Sequence, residues 1–334
     1  MSSSEPLRVG FVPEHFSTPL HFAKKYYSAS ATLIPFPSGT GHMVTALKEG
    51  EIDIGIGLTE GWVAKLGKAG VEESGFRLVG TYVESPLCWA INTSTTRQNL
   101  KSVSDLRGSK VGVSRLGSGS HIMSSVLADT QGWLDPSSPS KLTPVPLQTF
   151  SNLRAAVNHT SVHAESVADF FMWEYFTSKK YYPQVGKSSR TYESAAIVPP
   201  IKKIGEIYTP WPSWQIVAST ALTSSSSDTS GKLDERIVAL LKSINQGVEY
   251  FNSHHDEAVE YISTELDYSA EDAREWLTAG PAGGVKFADD VAAGVSKRMV
   301  EDVVKVLTKA GVLDQGKGEG GDIEGIIAVL REGT

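Results

Sequence analysis

Residues 38–57 read SGTGHMVTALKEGEIDIGIG, and three local signals follow one another along them. Ser38, Gly39, Thr40 and Gly41 form a turn of small and hydroxyl-bearing residues. Met43, Val44 and Leu47 then recur at helical spacing, with Gly50 as the stop. Residues 51–57 alternate apolar with polar or small side chains, the period of a strand. Working outward, residues 7–12 predict a buried strand, 19–27 a helix and 32–35 a second short strand. Strands separated by helices join through right-handed crossovers into a mostly parallel sheet.

The pattern restarts further along. Residues 110–114 predict a strand, 115–119 a glycine–serine loop, and 120–130 a helix with Ile122, Met123, Val126 and Leu127 on one face. Residues 142–147 and 167–172 are further strands. The fold class expected is α/β in two lobes, each a mainly parallel sheet flanked by helices. Lobe one takes residues 1–93 and 205–334, and lobe two takes 94–204. Two crossing segments, near 86–93 and 205–212, form the hinge.

The last third is helical after a strand at 214–219. Leu233, Ile237, Leu240, Leu241, Ile244, Val248 and Phe251 mark a long amphipathic helix. Ala258, Val259, Ile262 and Leu266 mark another, and Val291, Val295, Met299, Val303, Val306 and Leu307 a third; a short helix covers 323–330. The polar stretches 158–166 and 188–200 read as surface insertions.

Composition narrows the function classes. The 334 residues carry 31 Lys+Arg against 38 Asp+Glu, a net charge of -7, which argues against a protein built to grip nucleic acid. One cysteine, Cys88, excludes an intrachain disulfide framework and any multi-cysteine metal site. The histidines are scattered and no His-Glu-x-x-His pattern occurs, so no metal and no cofactor is expected. No Gly-x-Ser-x-Gly elbow points to a serine nucleophile. No run reaches the length of a membrane span, and no secretory pattern opens the sequence, so a cytoplasmic location is expected. The oligomeric state is not legible.

Candidate ligand-binding residues cluster at strand ends. Gly117, Ser118, Gly119 and Ser120, with Arg115 before them and His121 after, lie between a strand and a helix. Converging backbone N–H groups, hydroxyls and a guanidinium in that setting suit an anion. Ser118 or Ser120 can equally serve as a plain helix cap. Ser38, Gly39, Thr40 and Gly41 repeat the chemistry in the other lobe. Glu14 and His15 follow the first strand, Thr59 and Glu60 the strand ending at Gly57, and Ser85 precedes the first crossing. Loops after parallel strands are where α/β sheets place ligands. Trp173, Glu174, Trp211 and Trp214 add flat aromatic walls and one more carboxylate, although tryptophans in such runs also serve as core. The partner expected is a small molecule, with no nucleic acid and no membrane span.

Taken together, LRVGFVPEHFSTPL, SGTGHMVTALKEGEIDIGIG, SVSDLRGSKVGVSRLGSGSH, ADFFMWEYF and IYTPWPSWQIVAS resemble the type 2 periplasmic-binding-protein superfamily. The branch they are most similar to binds nitrate, sulfonates, taurine and thiamine-pyrimidine precursors. PEHFST, SGTG, SRLGSGSH, FMWE and TPWPSW are similar to a mainly fungal group of stand-alone proteins with this fold. The resemblance implies two lobes closing on a small anionic or heterocyclic ligand. It also implies an alternative, an enzyme of thiamine-pyrimidine metabolism. In that synthase a lysine and a sacrificed histidine align with Gly57 and Gly61, and a cysteine cluster with Pro212, Ser213 and Trp214. A protein–protein module on the same scaffold is the third reading.

Overall fold

Gly55 and Gly57 show why the decisive stretch folds as it does. They sit on a strand, and a Cβ on either would lie within about 2.9 Å of the Trp62 ring. The absence of side chains lets Trp62, fully buried, press close to the strand from the helix that follows. The computed structural model describes residues 5–135, 141–159, 166–183, 200–223, 233–279, 283–315 and 321–331. The stretches 160–165 and 188–199 of the two expected insertions lie outside them.

Among the described residues there are ten strands: β1 Leu7–Phe11, β2 Ala31–Pro35, β3 Ile54–Leu58, β4 Phe76–Val83, β5 Cys88–Ser94, β6 Lys110–Val113, β7 Thr143–Pro146, β8 Phe170–Glu174, β9 Ile201–Tyr208 and β10 Trp214–Ser219. The helices are α1 Thr18–Tyr26, α2 Thr40–Lys48, α3 Thr59–Ser74, α4 Gly119–Thr130, α5 Phe150–Val157, α6 Tyr175–Lys179, α7 Glu235–Ser253, α8 His255–Glu265, α9 Ala270–Thr278, α10 Lys297–Lys309 and α11 Gly321–Ile326. The first sheet has the order β2-β1-β3-β10-β4, and the second β7-β6-β8-β5-β9. In each, four strands point one way and one is reversed: β10 in the first, β5 in the second. The reversed strand is the one the chain enters directly on arriving from the other unit.

The chain divides into two compact units, Met1–Pro86 with Pro210–Thr308 and Leu313–Thr334, and Leu87–Thr209 with Lys309–Val312. The boundaries expected from sequence are 93/94 and 204/205. The whole of β5 and β9 goes with the second unit because their backbones form one ladder, from Cys88 opposite Tyr208 to Ser94 opposite Ile201.

In the first unit α7 buries Ile237, Leu240, Leu241, Ile244, Val248 and Phe251, the stripe the sequence marks. At Gly247 it meets α1 so closely that a Cβ would lie 2.2 Å from the Pro19 carbonyl oxygen. In the second unit Leu147, Leu153, Ala156, Val157, Ala168, Phe171 and Ile201 form a core cluster.

Two helical expectations are corrected. The third helix does not start at Val291: residues Val291–Ala293 make a separate 3-10 turn, and Gly294 at φ 91 breaks the chain before α10. The final helix ends at Ile326, and Ile327 pairs with Leu78 of β4 instead, because that strand edge offers backbone partners. The strands β4, β5 and β9 and the helices α3, α5, α6 and α9 are not among the elements expected from sequence.

Candidate functional site

Strands β1, β2, β3 and β4 all end at one edge of the first sheet, and β10 begins there. The candidate residues of this unit follow those ends. Gly39, at φ 76, precedes α2 in a conformation that favours glycine. Thr40 then turns its hydroxyl back to accept the Leu58 N–H at 2.9 Å, tying the start of α2 to the end of β3. Ser38 and Gly41 are exposed on either side of it.

Thr59 opens α3. Its N–H donates to the Ser213 carbonyl at 3.0 Å, and its hydroxyl donates to the Pro212 carbonyl. Glu60 is wholly buried in the same turn, and the Trp211 indole N–H donates to its Oε2 at 3.1 Å. Oε1 has no hydrogen-bond partner among the described residues. Burial pushes this carboxyl up to about 7, because a charge there has lost its water. Ser213 donates its hydroxyl to the Ser85 carbonyl at 2.7 Å, and the Ser85 hydroxyl accepts the Lys286 N–H at 3.0 Å. The stretch 211–213 is therefore laced to α3 and to the end of β4. Trp214 pairs with Leu58 and Val83, and its ring lies 5.2 Å from Phe16.

Glu14 is half-buried, at the head of the 3-10 turn His15–Ser17. His15 is buried among rings: Phe16 at 4.5 Å, Tyr268 at 4.6 Å and Trp276 at 4.3 Å. Burial pulls the imidazole down to about 3, so it is neutral at physiological pH. This is the environment of a packing residue.

Positions 57 and 61 bear on the synthase alternative. A Cβ on Gly57 would lie 2.8 Å from Thr40 Oγ1, and one on Gly61 would lie 2.9 Å from Thr40 Cγ2. Neither position has space for a side chain, so the departure from the synthase pattern is built into the packing.

In the second unit β6, β7, β8 and β9 end at one edge and β5 begins there. The turn from Ser114 into α4 is a closed hydrogen-bonded loop. Ser118 donates its hydroxyl to the Arg115 carbonyl at 2.7 Å and caps α4 by accepting the His121 N–H. Ser120 accepts the Ser114 N–H at 3.0 Å, and His121 Nδ1 accepts the Gly117 N–H at 2.9 Å. Gly117 sits at φ 81, and Gly119 begins the helix. Arg115 is half-buried, and burial lowers its pKa from the usual guanidinium value. Glu174 caps α6, accepting N–H bonds from Phe176 at 3.0 Å and Thr177 at 2.6 Å. Trp173, the residue before Glu174 at the end of β8, is half-buried and packs against the core cluster with its ring 5.3 Å from Phe150.

Three residues at this edge were not among the sequence candidates. Gln148, just after β7, adopts φ 68, a left-handed conformation rare for such a side chain, and donates its N–H to the Ser114 carbonyl at 2.8 Å. Leu116 stands largely exposed at the tip of the turn. Cys88 opens β5, half-buried, and burial pushes its thiol up to about 12. Nothing in the local sequence around Gln148 signals its conformation. Among the described residues no group of three or more His, Cys, Asp or Glu side chains is placed to hold a metal ion, and no helix is long and apolar enough to cross a membrane.

The family model described as Ca3427-like PBP matches residues 89–188. The solved Candida albicans CA3427 gene product is 38% identical, over 95% of this chain and 92% of its own, with a TM-score of 0.76. This chain belongs to the Ca3427-like family. CA3427 is described as defining a family with the generic periplasmic binding protein fold, and the two five-stranded sheets are that fold. The Escherichia coli aliphatic sulphonate binding protein SsuA is similar at 17% identity, covering 97% of each chain, with a TM-score of 0.62. The Synechocystis nitrate-binding protein NrtA is similar at 13% identity over 98% of this chain and 86% of its own, with a TM-score of 0.64. At these identities the likeness is one of fold. No curated protein matches the Ca3427-like chain in sequence.

Proposed function

We propose that this Ca3427-like protein binds a small anionic or heterocyclic molecule. The Ser38–Gly41 and Gly117–Ser120 turns would supply hydrogen-bond donors and Arg115 the positive charge. Closure of the two lobes on that ligand, as the sequence suggests, is part of the proposal, as is a cytoplasmic location, which cell fractionation tests. The observation that carries the reading is the placement of both glycine–hydroxyl turns at the carboxyl ends of strands, where α/β sheets bind ligands. The fold shared with proteins described as binding sulphonates and nitrate points the same way.

The test is a thermal-shift and calorimetric screen with alkanesulfonates, nitrate, inorganic phosphate and phosphorylated aminopyrimidines. At a ligand concentration of about 100 Kd the native state gains about 2.7 kcal/mol, enough to move the melting temperature by several degrees. Arg115→Ala is expected to weaken binding by at least about tenfold, the cost of one charge-assisted hydrogen bond. The reading fails if no compound stabilises the protein, or if the one that does binds Arg115→Ala unchanged.

A further inference from the structure

The outer strand of the first sheet, β4, has its open edge covered by two later stretches of chain. Near its end Phe287 pairs antiparallel with Val83, and the Ala288 N–H donates to the Tyr82 carbonyl at 3.0 Å. The N–H groups of Glu84 and Ser85 both donate to the Lys286 carbonyl, at 2.8 and 3.2 Å. Nearer its start the C-terminal segment pairs in parallel. Ile327 lies opposite Leu78, the Ala328 N–H donates to the Leu78 carbonyl at 2.8 Å, and Arg77 Nε donates to the Gly325 carbonyl at 3.0 Å.

This segment also binds the first cover. The Val295 N–H donates to the Val329 carbonyl at 2.9 Å, and the Arg331 N–H donates to the Val295 carbonyl at 3.1 Å. Gly294 is required beneath it, since a Cβ there would lie 2.5 Å from the Val329 oxygen. Ile323, Ile326 and Ile327 are buried. At its end the Arg331 guanidinium reaches Glu84 Oε1 at 3.3 Å, while Lys286 holds Glu84 Oε2 at 2.7 Å.

Glu84 lies two residues before the point where the chain leaves the first unit after Pro86. The neighbouring Ser85 carbonyl accepts the Ser213 hydroxyl, next to the place where the chain returns at Pro210. We propose that residues 321–331 act as a strap that restrains the outgoing chain at Glu84 and Ser85, making the C-terminal segment a control point for the crossing. Pro86 has no N–H to anchor it, so the restraint falls on its two predecessors. An exposed ion pair alone holds little. The grip of the strap comes from its backbone pairing and its isoleucines, and Arg331 passes that grip to Glu84.

The test is amide hydrogen exchange on the full chain, Ala328→Pro and Arg331→Ala. Ala328→Pro removes the N–H that bonds to Leu78. It is expected to speed exchange at Val295 and Arg331, and at Glu84 and Ser85, by about tenfold, with β1, β3 and β6 unchanged. Arg331→Ala is expected to speed Glu84 and Ser85 severalfold while Val295 keeps its protection. The proposal is overturned if Ala328→Pro frees Val295 but leaves Glu84 and Ser85 as they were. It is equally overturned if Val295 stays protected in that variant. Should Ala328→Pro fail to fold, Arg331→Ala decides alone, and unchanged exchange at Glu84 and Ser85 overturns the proposal.

Discussion

Glu60→Gln should change how the stability of this protein depends on pH, by an amount set by the one buried carboxyl it removes. Burial raises the Glu60 carboxyl from 4.5 to about 7 in the folded chain. The folded state therefore holds a proton that the unfolded state has released, and stability is fully present below pH 4.5 and lost as pH rises to 7. At about 1.4 kcal/mol per pH unit, the loss amounts to about 3 kcal/mol. His15 acts with the opposite sign. Its imidazole is lowered from 6.5 to about 3, so its contribution is present above pH 6.5 and lost as pH falls toward 3, again at about 1.4 kcal/mol per unit. Between pH 4.5 and 6.5 the two slopes cancel. Glutamine keeps an acceptor for the Trp211 indole and cannot ionise. The stability of Glu60→Gln relative to the native chain should then climb by about 3 kcal/mol from pH 4.5 to 7 and stay level above it. Urea titrations followed by tryptophan fluorescence at half-unit pH steps measure that difference, and every other titrating group drops out of it. A difference that stays flat from pH 4.5 to 7 would refute the argument, because it would mean Glu60 ionises at its ordinary value in the folded chain.

Other substitutions probe the packing. Gly61→Ala drives a methyl into Thr40 and should cost about 1–3 kcal/mol in urea denaturation, with faster exchange of the Leu58 amide that Thr40 holds. Gly39→Ala meets no atom within 4 Å, so its cost of about 1–3 kcal/mol should be purely the conformational penalty of φ 76 with ψ -168; a larger loss would count against that reading. Gly247→Ala presses on the backbone of α1 at Pro19 and should lower the melting temperature more than Gly39→Ala does, as calorimetry can show. Cys88, with its thiol pushed up to about 12, should react with a disulfide reagent at pH 8 far more slowly than free cysteine and reach the ordinary rate in urea; fast native labelling would contradict its burial.

The turn–helix–strand unit at residues 38–57 and the strand–turn–helix unit at 110–130 were legible because their signals are local: alternation, helical spacing, and glycines and hydroxyls at the junctions. The α7 stripe was legible for the same reason, since a face that must be buried writes its period into the sequence. Val291 was misread because its apolar spacing continues that of α10, and only Gly294 at φ 91 separates them. Ile327 was misread because a short apolar run suits a helix or a strand alike, and the choice fell to the edge of β4.

By itself the sequence determined that this chain folds as alternating strands and helices in two similar parts, with hydroxyl-bearing turns at helix starts, because such preferences act between residues a few positions apart. Tertiary structure alone decided that His15 is packed among Phe16, Tyr268 and Trp276, that Glu60 is joined to Trp211, and that Trp173 packs half-buried against a core cluster. Those partners lie up to 261 positions apart, from His15 to Trp276. The charge state of a carboxyl or an imidazole depends on the water that distant segments exclude, which no local pattern encodes.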